Sequence, residues 1–437
     1  MKRFITILFL LAKLSGFAKE DPFNTGDYIL ALKNVTDVMV NDVTSPVAAG
    51  RYYAYITLTA QETATQFQKE DHYSFAGKLN GFTDIQADLA SVQQSNFSFA
   101  VIFSIYKMSE RLLPSGYLLV KKQDSLTAIA QKRGLSLKTI DASKQLVNSI
   151  VKQIQDYVRQ DRFNKLSGLK KYTPLEGDGY WRPTGPGYMA ALEPNWNTLR
   201  TFILDSCQQF KPLPAAVFDT STSSPFFVQV KEVYETGKKL TKEQKDIANF
   251  WDCNPFALQQ LGHIEFGLKK ISPGGHWMGI TGIVCNKAKR SLQQTAFIHS
   301  IVAITLADAF ISCWDEKYRS NRIRPETSIK KWVDPYWRPF LQTPPFPEYT
   351  SGHSVISTSV ATVLTHFFGD NFAFTDNTEN EFGLPSRKFK SFLHAASEAA
   401  VSRFYGGIHY RDAIENGALQ GKAIGNYVIT KMMLGKI

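Results

Sequence analysis

The sequence predicts an all-helical protein, built as one large helical bundle. Three observations predict it. Apolar residues recur at spacings of three and four through 27–69, 86–113 and 138–164, the period that lines one face of a helix. No run of alternating apolar and polar residues argues for strands. An apolar stretch from Phe297 to Trp314 reads as a buried helix of the core. It carries His299, Ser300, Asp308 and Ser312, so it reads as a buried core helix and not as a membrane span.

A chain of 437 residues has room for one large domain or two packed lobes. We divide it into an N-terminal helical part, 19–240, and a helical part, 241–437, that carries the chemistry. Hydrophobic residues make up 43% and charged residues 20%, which excludes a disordered chain. The formal charge is +11. No concentrated basic run accompanies it, so nucleic acid is not an expected partner. A basic balance favours an anionic substrate or cofactor.

The first segment, 1–18, reads as a signal peptide. Lys2 and Arg3 supply the positive start, Phe4 to Ala12 is mostly apolar, and Gly16-Phe17-Ala18 offers small residues for cleavage. The apolar run is well short of the ~20 residues a spanning helix needs. The mature chain is expected to be secreted or periplasmic, with no integral membrane span. Removing 1–18 takes away Lys2, Arg3 and Lys13 and no acid, and the charge falls from +11 to +8. Cys207, Cys253, Cys285 and Cys313 show no metal-like spacing. An oxidising compartment would permit disulfides among them, but sequence does not pair them.

Residues 170–200 hold Pro174, Gly177, Gly179, Pro183, Gly185, Pro186 and Gly187 with Trp181 and Trp196, a structured loop whose aromatic residues seek burial. A second loop follows at Asp219–Pro225. Helices resume near Thr241 after a turn at Gly237, then over Asn286–Arg319, Gly352–Phe368, Ser386–Arg403 and Ala413–Met433.

Three segments carry candidate chemistry. In the first, Lys317 ends a long helix, and Pro325 forces Arg324 out of helical conformation. Two cations are thus presented where an apolar helix emerges, with Arg319 and Arg322 nearby. In the second, Thr350-Ser351-Gly352-His353 opens an apolar helix. Ser351 is placed to cap it, Gly352 lets backbone approach a ligand, and free N–H groups at a helix start bind tetrahedral anions. His353 beside such an anion could move protons. In the third, Arg403 closes a helix, Gly406-Gly407 turns the chain, and His409 precedes the final helix, where Asp412-Ala-Ile-Glu415 reads as a capping box. Each segment alone has an ordinary structural reading. Together they supply an ammonium, two guanidinium forks, backbone donors and two imidazoles for one tetrahedral oxyanion.

The pattern Lys-x6-Arg-Pro, Ser-Gly-His, Ser-Arg-x5-His resembles the signature of the superfamily of type-2 phosphatidic acid phosphatases and vanadium haloperoxidases. The resemblance covers mainly the C-terminal third. It implies that Lys317, Arg324, Ser351, Gly352 and Arg403 hold the oxygens of vanadate, with phosphate an alternative occupant. It implies that His409 bonds the metal, or attacks phosphorus in a phosphatase, and that His353 is the acid–base residue. Two positions depart from the pattern. Thr350 stands where the family usually has proline, and Ala413 stands where many members have aspartate, with Asp412 one earlier. The departure at 350 is expected to change loop stiffness more than chemistry, and capping is the expected task of Asp412.

Residues 19–316 precede the first block. Soluble phosphatases of the superfamily are shorter and its lipid phosphatases span membranes, so the length favours a haloperoxidase over a secreted acid phosphatase working through a phosphohistidine. Trp314 and Phe346 resemble the aromatic wall beside vanadate where halide is oxidised. Asp252-Cys253-Asn254-Pro255-Phe256 and Pro273-Gly-Gly-His276-Trp277 resemble segments of bacterial haloperoxidase-like proteins, and His276 either lines the site entrance or is a plain loop histidine. The implied chemistry is redox-neutral at the metal, with vanadate as a Lewis acid, His353 taking a proton from hydrogen peroxide, and Lys317 polarising the bound oxidant. Halide, iodide or bromide before chloride, leaves as hypohalous acid. Related enzymes are often oligomeric, so a homo-oligomer is left open.

Overall fold

A computed structural model describes residues 21–67, 73–185, 187–255, 258–261, 264–267 and 270–432. The expected signal peptide, Pro186, Phe256 and Met433 lie outside the described residues. The described chain is helical, as the sequence predicts, and its elements run in the order α1 (Thr25–Asn41), α2 (Pro46–Thr65), α3 (Leu89–Gln94), α4 (Phe97–Leu112), α5 (Val120–Lys132), α6 (Leu137–Arg159), α7 (Pro225–Lys238), α8 (Lys242–Phe250), α9 (Pro273–Lys287), α10 (Leu292–Ser320), α11 (Pro325–Trp332), α12 (Gly352–Phe368), α13 (Phe392–Tyr405) and α14 (Arg411–Lys431). Two short antiparallel hairpins interrupt them, β1–β2 (Leu258–Leu261, Ile264–Gly267) and β3–β4 (Phe374–Asp376, Arg387–Phe389). Neither was expected, because strands of three or four residues are too short to show a period.

Several boundaries also differ from the sequence reading. The periodic run 27–69 is two helices, split where Val43 takes a positive φ and Ser45 caps α2 with Pro46 at its first position. Asn96 splits 86–113 by capping α4. The expected helix Asn286–Arg319 is the end of α9 and the whole of α10, divided by Lys289 at positive φ and by a capping box between Ser291 and Gln294. Gly237 lies within the last turn of α7 and is not a turn before Thr241. The stretch from Ser386 begins as β4, and the helix starts at Phe392.

α10 is the axis of the molecule. It is long and apolar enough to cross a membrane by length and composition, yet its apolar window is wholly buried inside the protein. α2, α9 and α12 pack around it. A helix apolar on all sides must be enclosed by others, and α2 is likewise buried on every face. Asp308, mid-helix in α10, accepts the backbone N–H groups of Phe202, Ile203 and Leu204 at 2.6, 2.7 and 2.9 Å. That contact ties the end of the 170–200 loop onto the axis and satisfies donors that would otherwise be buried alone. One apolar core runs from Phe23 to Met432 and draws on both halves of the chain.

The site end of the bundle depends on how closely α14 approaches α12. Gly417, Gly421 and Gly425 recur every four residues, forming one ridge of α14. A Cβ on Gly421 would fall 2.2 Å from the carbonyl oxygen of Val355, and one on Gly417 would fall 3.1 Å from that of Ser351. Backbone therefore lies on backbone, and the first turn of α12 is held by the final helix. Gly421→Ala should push the helices apart and lower stability by roughly 1–3 kcal/mol, the usual cost of overpacking a core. Chemical denaturation of the two proteins measures this; equal midpoints and slopes would refute the close approach.

Candidate active site

Three helix ends and one proline-rich loop converge at the C-terminal side of α10. Lys317 sits in the last turn of α10, which Asn321 ends in left-handed conformation. Arg324 is the extended residue before Pro325, as the proline requires. Ser351 caps α12, its hydroxyl accepting from the Ser354 N–H at 3.3 Å. Arg403 is in the last turn of α13, and Gly407 at φ +75° turns the chain so that His409 faces back before α14. The Ser351 N–H donates to the Ala413 carbonyl at 3.0 Å, which joins the second and third segments directly.

Lys317, Arg324, Ser351, Arg403 and His409 are all buried. A cavity of about 50 Å³ is lined by Trp314, Phe346, Gly352, His353, Arg403 and His409. Lys317, Arg324 and Ser351 lie behind that wall. Lys317 Nζ donates to the carbonyls of Pro347 (3.2 Å), Glu348 (3.1 Å) and Thr350. Arg324 donates to the carbonyls of Phe346 (2.9 Å) and Ile408 (2.8 Å), and its NH1 lies 3.2 Å from His409 Nε2. The Trp314 and Phe346 rings are 5.0 Å apart, and both Lys317 Nζ and the Arg324 guanidinium lie 5.0 Å from the Phe346 ring centre.

Burial lowers the pKa of Lys317 to about 8 and of Arg324 to about 10, because charge is costly away from water. Burial also depresses both imidazoles well below the ordinary histidine value. Arg403 and then His409 push His353 further down, and Arg324, Lys317 and Arg403 do the same to His409. Both rings are therefore neutral at neutral pH. His409 Nδ1 donates to Glu348 Oε1 at 2.8 Å, which leaves the Nε2 lone pair facing Arg324 and the site. His353 Nε2 lies 3.5 Å from Arg403 NH1, and a hydrogen bond to Trp251 backbone orients its ring.

Glu348 was missed in the sequence. It also accepts the Tyr410 N–H at 2.9 Å and an Arg322 N–H at 3.3 Å. A lone acid among Phe346, Pro347 and Tyr349 was the available signal, since a buried acid needs partners. Asp412 does not cap α14. Tyr410 is the cap residue, and it makes no side-chain cap bond. The Asp412 carboxylate instead accepts from Arg322 NH1 at 2.6 Å and from the Ala216 N–H at 3.0 Å, a charge-assisted pairing that outcompetes a cap. Asp412 thus reaches His409 only through Arg322 and Glu348. Thr350 donates its hydroxyl to Gln420 of α14 at 2.9 Å, a contact proline could not make. His276 neither lines the entrance nor sits in a loop; it is wholly buried in the first turns of α9. All four cysteines are free thiols, so no disulfide joins them.

The residues fit an oxyanion. Arg403 Nε is buried and has no hydrogen-bond partner among the described residues, and the two hydrogen bonds of its NH groups, 3.5 and 3.4 Å, are long. Three buried cations around one small cavity leave positive charge that an anion would neutralise. Neutral His409 Nε2 is the form that binds a metal.

Residues 297–434 match the family model of the VCPO second helical-bundle domain. The solved structure of the first bacterial vanadium-dependent iodoperoxidase is similar at 41% identity and a TM-score of 0.87, with 93% of this chain and 96% of that chain covered. A bacterial vanadium-dependent chloroperoxidase in its holo form shares the fold at 15% identity and a TM-score of 0.68, over 90% of this chain and 92% of that one. No curated protein matches the sequence. The chain belongs to the vanadium-dependent haloperoxidases, enzymes that oxidise halide with hydrogen peroxide.

Glu348 sets the tautomer of His409, and such carboxylate partners tune ligand affinity strongly. Glu348→Ala should weaken vanadate binding about ten- to a hundredfold. Titration of the metal-free enzyme with vanadate checks it, beside a melting curve to confirm folding. Unchanged affinity would show that His409 is oriented by other contacts.

Proposed function

We propose that the enzyme oxidises iodide, and bromide less readily, to hypohalous acid at the cavity between Trp314, Phe346 and His353. The observation that carries the reading is the buried, under-neutralised cluster of Lys317, Arg324 and Arg403 facing a neutral His409. Lys317, Arg324, Arg403 and the first N–H groups of α12 at Gly352 would hold the oxygens of vanadate, Ser351 would support that turn, and His409 Nε2 would be the ligand to the metal. Phosphate, of the same shape, would compete for the same donors. When bound, vanadate supplies a Lewis acid that activates peroxide.

The protein's own part is positioning and proton transfer. His353 is neutral because burial and Arg403 hold its pKa down, so it is ready to accept a proton from hydrogen peroxide as the peroxide enters. Lys317 and Arg324 stay fixed by the carbonyls and rings around them. They therefore need no reorganisation as negative charge moves in the reaction. The Trp314–Phe346 wall offers no charge to the cofactor. It strips water from an incoming halide, which costs least for large, weakly hydrated iodide. Lys2-Arg3, the apolar run to Ala12 and Gly16-Phe17-Ala18 support export of the chain, to the periplasm or beyond.

His409→Ala should abolish tight vanadate binding, whereas His353→Ala should keep vanadate and lose most peroxide turnover. Elemental analysis and steady-state iodide oxidation read the two effects. Equal vanadium in the wild type and the His409 variant would overturn the ligand assignment, and phosphatase turnover without vanadate in place of iodide oxidation would overturn the activity.

Phe346→His should change the ratio of iodide to bromide turnover and leave the vanadate dissociation constant within about threefold, a change of about 0.7 kcal/mol or less. Kinetics with both halides beside a vanadate titration decide it. A fixed halide ratio with collapsed vanadate affinity would make Phe346 a support for the cations and not a halide wall.

A further inference from the structure

At the cavity wall, three segments far apart in sequence bring a thiol, an imidazole and a carboxylate to one point. Cys253 follows α8, His276 is in α9, and Glu379 lies in the connection between β3 and β4. All three are buried. Cys253 Sγ is 3.3 Å from His276 Nδ1 and 3.8 Å from Glu379 Oε1, and His276 Nδ1 is 3.2 Å from Glu379 Oε1. The three donor atoms form the only such group of potential metal ligands among the described residues. On its far side His276 Nε2 meets Asp376 Oδ2 at 2.7 Å. Asp376 in turn accepts the Thr378 N–H at 3.0 Å and its hydroxyl at 2.7 Å.

From this geometry we infer that Cys253, His276 and Glu379 form a zinc-class divalent metal site that braces the wall of the active-site cavity. The edge lengths fit. Zinc–sulfur bonds of about 2.3 Å and zinc–nitrogen or –oxygen bonds of about 2.0–2.1 Å, at tetrahedral angles, separate sulfur from nitrogen or oxygen by about 3.6 Å and nitrogen from oxygen by about 3.4 Å. The donor set fits too. Thiolate with imidazole selects a borderline-soft ion over calcium or magnesium. Asp376 completes the arrangement usual for ligating histidines, in which the second ring nitrogen donates to a carboxylate and fixes the first as ligand. The stacked Trp251 ring, 4.6 Å from that of His276, holds the imidazole plane.

A nucleophilic thiol is the competing reading of a Cys–His–Asp row. It fits less well, because Cys253 is 2% exposed and Glu379 occupies the same imidazole nitrogen. The site has a consequence for the chemistry next door. Cys253 and its neighbour Asp252 line the cavity, and Asp252 Oδ1 lies 4.0 Å from Arg403 NH1. A metal at Cys253 would fix the segment that faces Arg403. Three protein ligands leave a fourth position, which a water would fill.

The test uses the full-length enzyme purified without chelators and without added vanadate. Elemental analysis should find about one zinc per chain. After removal of metal by a chelator, titration with cobalt(II) should produce a thiolate-to-cobalt absorption band and the visible spectrum of a tetrahedral site. His409→Ala should keep both signals, which separates this site from the vanadate site. Cys253→Ser should lose the thiolate band. If the wild type takes up neither zinc nor cobalt, the site does not exist. If Cys253→Ser keeps the band, one of the other cysteines is the ligand and the assignment fails. If the serine variant does not fold, the wild-type titration decides alone: a band at one equivalent supports the site, and no band overturns it.

Discussion

Lys317, Arg324 and Arg403 are held out of water around one small cavity, and among the described residues the one carboxylate within ion-pair distance of them is Asp252, 4.0 Å from Arg403. Charge in such a place is expensive unless something of opposite sign is present. Their neighbours are arranged to bear that cost. Carbonyls of Pro347, Glu348 and Thr350 receive Lys317, and those of Phe346 and Ile408 receive Arg324. Burial, reinforced by Arg403 at His353 and by Arg324, Lys317 and Arg403 at His409, holds both imidazoles well below the ordinary histidine value. Two neutral imidazoles thus face one cavity, and the burial that encloses the cations is the main cause for both.

That cluster needs helix ends in fixed places, which explains the architecture on that side of the molecule. α10 delivers Lys317, α13 delivers Arg403, and α12 offers its N-terminus. The glycine ridge of α14 lets α12 come close enough for Ser351 to bond Ala413. Buried Glu348 and Arg322 and half-buried Asp412 form a row of alternating charge behind His409. The row keeps the imidazole oriented.

The parts of this site that sequence revealed are those written locally. A lysine near the end of an apolar run, an arginine before proline, and a Ser-Gly-His at a helix start each carry a reason within a few residues. The helical class was legible for the same reason, since periodicity is local. Glu348 was not legible, because its importance comes from Tyr410, Arg322 and His409, which lie far from it in sequence. Asp412 misled, because a capping pattern is local while its true partner, Arg322, is 90 residues away. Cys253, His276 and Glu379 share no short spacing at all; the packing of α9 against β3 and of the segment after α8 against His276 brings them together. The splits at Val43 and Lys289 were hidden because flanking helices kept the apolar period on both sides.

α10 is 29 residues long and is pinned at both ends, by the Ser291–Gln294 box at one and by left-handed Asn321 at the other. Each residue of an α-helix turns the chain by about 100° and advances it by about 1.5 Å. Adding or deleting one residue anywhere along this helix would therefore swing Lys317 to another side of the axis, however far away the change was made. The helix behaves as a phase-locked shaft: its composition can drift, but its length cannot.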